Sequence, residues 1–468
     1  MQVMLKHSLL LIFCLVHFSI YSQITDSSYT IYLEQFIELS NTRALQPTEI
    51  QKTIKDFKSN NLNSNEDFAK LCSRLYPKDK GIGILLYFFH RDTLKRVFVE
   101  PGNVIEETAI PIKKEALLKL SDDLNYALNL YNLTANRAPT LRGGIRIDKK
   151  EENTGQSLSK ITSDLTSLLL PSKFSDKYRH LIIIPCLNIG VLPFHLLKPY
   201  KDDSYLIDKC SFTIAPTLVD FVGLRSRVIK ALGMNVEYIK DFDVAINSTD
   251  FAEGLIKFSI ENPLFISNPD YPKNSEYFFP DLPGAEREID SALRYAARYS
   301  LLKGKEASKA LVIESLNHSD IAYFATHGMS NAENPKDKSY LVLSGDDPFL
   351  TSKEIQDLRL KKDFAMPELV ILSACQTGLG KATEAGIAGS LARSFILSGS
   401  NQVITSLWSV DDNATAYLMN RFFFHLANSE YFIPAEHLRK AILDTKNKFP
   451  NPAHWASFSL VGVDYGIR

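Results

Sequence analysis

The chain has 468 residues, 45% hydrophobic and 23% charged, which excludes a disordered protein and supplies apolar material for a large core. Lysine and arginine total 53 against 54 aspartates and glutamates, so the net charge of −1 carries no basic bias toward nucleic acid. Five cysteines do not make a disulfide scaffold, and at about 100–200 residues per domain the length allows two to four domains or one large paired fold.

The first 22 residues have the layout of a secretory signal peptide. Lys6 is the positive start, Ser8 to Ile20 is apolar, and small Ser22 precedes polar Gln23. The run is shorter than the roughly 20 residues a spanning helix needs, so export is expected, with an uncleaved N-terminal anchor as the alternative. Bulky Phe13 ahead of Cys14 argues against a lipoprotein site. Export would leave Cys72, Cys186, Cys210 and Cys375. No close pair among them proposes a disulfide, although Cys186 and Cys210 are candidates to lie near each other.

Residues 23–79 read as a short helical N-terminal segment. Ile50, Ile54 and Phe57 form one apolar stripe, and Phe68, Leu71, Cys72 and Leu75 form another, with a loop at Asn60–Asn65. Such a hairpin is too short for a repeat array and reads as a brace on the next domain. From Gly81 the pattern changes. GIGILLYFF and KRVFVE read as a strand hairpin, Ile112 to Leu133 as a helix, Ala135–Gly155 as a loop and Leu158 to Leu170 as a helix. YRHLIIIPC is a continuous apolar run, as in a strand covered on both faces of a parallel sheet. LFISNP, IAYFAT, LVILS, QVITSLW and WASFSLVG follow as strands. Helices are expected at Gly284 to Ser300, Ser308 to Leu316, Ser352–Leu358, Ala385 to Leu397, Asp412 to Leu426 and Pro434 to Asn447. The alternation indicates an α/β protein with a mostly parallel sheet.

Two strands end in reactive side chains. IAYFAT runs into His327 and LVILS into Cys375. Open α/β sheets form their sites outside the carboxyl ends of parallel strands, so neighbouring strands would bring imidazole and thiol to one edge. A thiol needs such a base, because only the thiolate attacks well. The backbone N–H groups of Gly328 and Cys375 would suit an oxyanion hole, and a helix starting at Ala385 would add positive potential. On spacing alone, a cysteine after a buried strand is most often an inert core residue, and a histidine at a strand end is often just hydrogen-bonded. His180 and His195 read as structural, and Asp346-Asp347 in SGDDP as a turn. There is no zinc spacing, phosphate loop or dinucleotide fingerprint.

The ordered pieces YFATHG, SYLVLS, LVILSACQTGLG, GIAGSLARSFILSGSNQVITSLWSVDD and WASFSLVG resemble the CHAT domain, a bacterial relative of caspases and separase. Upstream, HLIIIPCLNIGVLPFHLL, FISNP, DLPGAEREI and KGKEAS also fit, so the resemblance runs from about Gly81 to the C-terminus. It implies a caspase-like fold: a mostly parallel sheet with flanking helices, a degenerate first half (residues 80–255) and a catalytic second half (256–468). The family's histidine falls on His327, its cysteine on Cys375, its oxyanion glycine on Gly328, and its Leu-Trp-x-Val-Asp-Asp segment on Leu407 to Asp412. Cys186 and Leu187 stand where the family often writes Asp-Gly, and at most one helical hairpin stands where it commonly carries tandem repeats.

The expectation is therefore an exported cysteine endopeptidase that acts on a protein or peptide substrate and needs no cofactor. Its rival is an idle caspase-like scaffold that binds proteins. A regulatory protein partner would dock on the helical N-terminal segment, and neither nucleic acid nor a membrane is expected as a partner of the mature chain. Separase carries a similar acidic segment and prefers arginine before the scissile bond. That suggests a carboxylate of Asp411 or Asp412 as the substrate-binding group, with Asp412 as a helix cap and Asp411 in the pocket, though the two roles are exchangeable.

Overall fold

The computed structural model describes Tyr29, Leu62 and most of residues 64–463, apart from 79, 129–156, 232–260, 274–278, 332–333, 374–380, 384–385, 389, 409–410 and 430. The expected signal peptide, Cys14, the Ile50–Phe57 stripe, the expected Ala135–Gly155 loop and Cys375 lie outside the described residues. No helix among those described is long and apolar enough to cross a membrane.

The expected hairpin is present. Strand β1 (Ile82–His90) pairs antiparallel with β2 (Thr93–Glu100) across Arg91-Asp92, whose φ values of 45° and 53° are those of a two-residue turn that matches strand twist. A third strand, β3 (Asn103–Pro111), was not expected. It follows Gly102 (φ 92°) and lies at the sheet edge, where its largely polar, exposed face hides it from a hydrophobicity reading. Strands β4 (His180–Ile184) and β5 (Ser211–Ile214) continue parallel to β1, and every residue of both is buried.

The rest of the chain adds β6 (Leu264–Pro269), β7 (Ser300–Gly304), β8 (Ile321–Ala325), β9 (Gly328–Met329), β10 (Tyr340–Val342), β11 (Phe349–Thr351), β12 (Leu369–Leu372), β13 (Lys381–Thr383), β14 (Gly386–Ala388), β15 (Gln402–Ser406) and β16 (Phe458–Gly462). One eleven-stranded sheet runs in the order β3-β2-β1-β4-β5-β16-β15-β12-β8-β6-β7. Strands β1, β4, β5 and β16 are parallel to one another, as are β15, β12, β8, β6 and β7. The two sets meet antiparallel at β15 and β16, so the final strand is the seam of the sheet. Both faces are covered by helices, and the buried strands share one continuous core.

Several helices differ from expectation. The helix expected to reach Ser300 stops at Leu293, and residues from Ser300 form edge strand β7 against β6 instead. The helix expected from Ala385 is Leu391–Ser398, preceded by the β13–β14 hairpin. Gly386 and Gly389 are poor helix residues, whereas Ser390 makes the cap by accepting from the Arg393 N–H at 3.1 Å. The N-terminal helix Asn65–Leu75 buries Phe68, Leu71, Cys72 and Leu75 against the core. Its end is gripped by Arg225, which donates to the Leu75 carbonyl at 2.8 Å and stacks on Tyr76.

Cys186 and Cys210 do not lie together. His180 pairs with Ser211 and Ile183 with Ile214, so Cys210 precedes one strand and Cys186 follows its neighbour. Opposite ends of a ladder of this length are roughly 20 Å apart. Cys72, Cys186 and Cys210 are all buried, and none of them is in a disulfide. His180 bridges the hydroxyls of Ser211 (2.9 Å) and Thr213 (3.3 Å) across β5, and His195 packs edge-on against Phe212; both are structural groups.

Candidate active site

The parallel pairing of β8 with β12 builds the site. Leu369 lies opposite Ile321 and Leu372 opposite Phe324, and the Ser373 N–H extends the ladder to the Phe324 carbonyl at 2.9 Å. His327 leaves the sheet two residues beyond β8 at this edge. The neighbouring parallel strands β6 and β15 point their carboxyl ends the same way.

His327 is 3% exposed and tightly held. Its ring sits edge-on to Tyr271 at 4.7 Å and against Phe279 at 5.4 Å. Its Nε2 lies 2.8 Å from the Pro280 carbonyl oxygen. A carbonyl only accepts, so Nε2 carries the proton and, in the neutral ring, Nδ1 is the basic nitrogen. No residue pattern signals this contact, because the partner is a backbone atom far away along the chain. Asn268, at the end of β6 with φ 41°, accepts from the Leu282 N–H at 2.9 Å and donates to Glu286 at 3.1 Å. That bridge ties the stretch carrying Pro280 to the strand beside β8.

Gly328 begins β9, opposite Leu341 in β10. The adjacent bond runs from the Val342 N–H to the His327 carbonyl at 2.9 Å, so the antiparallel alternation turns the Gly328 N–H away from that ladder. Cys375 itself lies outside the described residues, three positions beyond Leu372. The helix expected to start at Ala385 starts instead after its cap Ser390. Among the described residues, no group of histidine, cysteine and carboxylate side chains is arranged to hold a metal.

The CHAT domain matches residues 156–463, a span that contains His327, Gly328 and Cys375. The chain belongs to the CHAT domain family. Separase of Saccharomyces cerevisiae, solved as a complex with securin, shares the fold. It aligns with a TM-score of 0.51 at 10% identity, over 94% of this chain and 34% of that one. Tetratricopeptide repeat protein 28 of Homo sapiens is 21% identical over 422 residues, 81% of this chain and 16% of that protein. Its Mus musculus counterpart is 22% identical over 330 residues, 62% of this chain and 12% of that protein. The chain thus spans a small part of the length of these relatives. The caspase-like architecture implied by the sequence motifs is the one observed. The CHAT match begins at residue 156, so β1, β2 and β3 lie outside it although they belong to the same sheet.

Of the two arrangements left open for the acidic pair of this CHAT domain, the cap falls on the other aspartate from the one first assigned to it. Asp411, not Asp412, caps the helix Asp412–Ala427, accepting from the N–H groups of Asn413 (3.0 Å) and Ala414 (3.3 Å). The Asp412 carboxylate lies against Gly284, in the space that a Cβ there would fill, at the start of the helix Pro283–Leu293. Each carboxylate therefore sits at a helix N-terminus, where negative charge is favourable. Leu407 and Trp408 are buried, and the Trp408 indole donates to the Ala453 carbonyl at 2.9 Å. Gly284→Ala is expected to cost about 1–3 kcal/mol by overpacking, against a gain of up to about 1 kcal/mol from helix propensity. Urea unfolding checks this. Combining it with Asp412→Ala should remove most of the penalty, and an undiminished penalty would place the clash elsewhere.

Proposed function

We propose that the protein is a cysteine endopeptidase with Cys375 as nucleophile and His327 as base. The register of β8 and β12 carries this reading: counting three residues on from the facing pair Phe324 and Leu372 reaches His327 and Cys375. Adjacent strands are about 4.8 Å apart, so a thiol leaving β12 at the level where the imidazole leaves β8 would be within reach of a proton transfer. With Nε2–H given to Pro280, Nδ1 takes the thiol proton. The thiolate attacks the scissile carbonyl, the imidazolium protonates the leaving amine, and a thioester forms on Cys375. Water activated by the same histidine then releases the acid. The N–H groups of Gly328 and Cys375 hold the oxyanion. None of these steps requires a cofactor.

The substrate is read as a protein or peptide. Separase was solved with a protein partner, and the curated relatives are named for a repeat, which together support proteins as the ligand class. A regulatory partner would act at the helix Asn65–Leu75 and the residues before it. Export is part of this reading, supported by the signal-like layout of Lys6, Ser8–Ile20 and Ser22; intact mass of the native protein should then show a chain that begins near Gln23.

The test is covalent labelling with thiol-directed peptide probes carrying Arg, Leu or Asp before the reactive group. Labelling in the wild type and its loss in Cys375→Ala would support the peptidase. No labelling with any probe, in folded protein, would favour the interaction scaffold. A basic preference needs a carboxylate facing the substrate. Arginine-probe selectivity abolished by Asp411→Asn or Asp412→Asn would assign it to this pair, and selective reaction with the Asp probe would exclude it.

A further inference from the structure

The helix Leu218–Ala231 joins the first set of strands to the segment that carries Cys375. Asp220, in its first turn, accepts from Arg393 Nε at 2.8 Å and Nη2 at 3.3 Å. Asp220 is 7% exposed and Arg393 1%. The Thr217 hydroxyl donates to the same carboxylate at 2.9 Å and accepts the Asp220 N–H at 3.0 Å, so the acid is fixed before the arginine meets it. Two turns on, Arg227 donates to the carbonyls of Ile396 (3.0 Å) and Ser400 (3.4 Å). One helix thereby grips Leu391–Ser398 at both of its ends.

The gripped helix matters because of what precedes it. The chain from Leu372 to Ser390 contains Cys375 and the β13–β14 hairpin. Its upstream anchor is β12, fixed in the sheet between β8 and β15. Its downstream anchor is the helix Leu391–Ser398. A buried ion pair is a weak device for stability alone, since well-packed apolar residues often do as well. The planar arginine fork on a carboxylate does fix depth and rotation, which apolar contacts leave looser.

We propose that Asp220 and Arg393 form a positioning pair that sets the Cys375 segment against His327, so the part of the chain without the dyad fixes the dyad's geometry. The proposal rests on the peptidase reading. A misplacement of about 1 Å in a catalytic group can cost about 100-fold in rate, so the pair should be visible in turnover as well as in stability.

The test uses Asp220→Asn and Arg393→Lys in the full chain, with three measurements. Asn keeps the shape and one acceptor, and Lys keeps the charge but loses the fork, so if one variant fails to fold the other carries the test. Below the unfolding transition, kcat should fall about 10-fold or more with KM within about twofold of wild type, the pattern of a lost transition-state arrangement. Hydrogen exchange across residues 374–390 should quicken in the same variants, with the central strands unchanged. Wild-type kcat and unaltered exchange in a folded variant would overturn the proposal. Faster exchange in a chain whose wild type turns over no peptide would uphold the positioning and sink the peptidase reading instead.

Discussion

Cys375→Ala should abolish peptide hydrolysis, a loss of about 10³-fold or more, while urea unfolding stays close to wild type. Alanine preserves the apolar end of the strand and removes only the sulfur. His327→Ala should cost about 10²–10⁴-fold, the usual worth of a positioned general base. The double variant should be little worse than either alone, because the two groups act in a single proton transfer. Alanine at Cys72, Cys186 or Cys210 should leave turnover nearly intact, since all three thiols are buried and burial pushes the Cys72 and Cys210 thiols well up, away from the reactive thiolate. Wild-type hydrolysis by Cys375→Ala would remove the assignment. Loss of activity in His327→Ala alone would leave a hydrolase that uses a different nucleophile.

Stability should fall steeply as pH drops from about 6.5 to 4. Burial holds His180 and His195 down to about 3 and His437 to about 4, whereas the unfolded chain titrates them near 6.5. These are depressed bases. Their contribution is complete above 6.5, and it is lost as pH falls, because the unfolded state binds protons that the folded state refuses. Each adds up to about 1.4 kcal/mol of destabilisation per pH unit in that window. Glu368 works the other way. Burial raises its carboxyl, so the folded chain takes up a proton there first and offsets part of the loss. Carboxylates held low, such as Glu286 beside Lys303, lose their contribution only below the ordinary carboxylate range. Urea midpoints from pH 7.5 to 4.5 provide the measurement. The curve should flatten by about one proton in His180→Gln, a residue that can still reach the hydroxyls of Ser211 and Thr213. No change in midpoint between 6.5 and 4.5 would show that these histidines titrate freely in the folded protein.

The candidate site was legible to the extent that it depends on strand ends. IAYFAT and LVILS are short apolar runs; His327 follows the first directly and Cys375 follows the second after Ala374. Sequence could not show that the two strands are neighbours in register, since that is a choice among pairings of similar apolar runs; the β8–β12 ladder decides it. The Pro280 carbonyl was invisible for a different reason: every residue has a carbonyl, and only the fold selects the one that meets the imidazole.

The acidic pair shows the same division. That one aspartate of Asp411-Asp412 caps a helix follows from local chemistry. Which one does so depends on where the helix Pro283–Leu293 comes to rest, because its start at Gly284 receives the other carboxylate. The amino-acid sequence by itself determined the fold class, most of the buried strands and the two candidate site residues, because apolar runs and capping residues act over a few positions. Tertiary structure alone decided the edge strands β3 and β7, the place of β16 at the seam and the Asp220–Arg393 clamp. Each of these is a contact between segments distant in the chain, and its free energy depends on burial that no local pattern encodes.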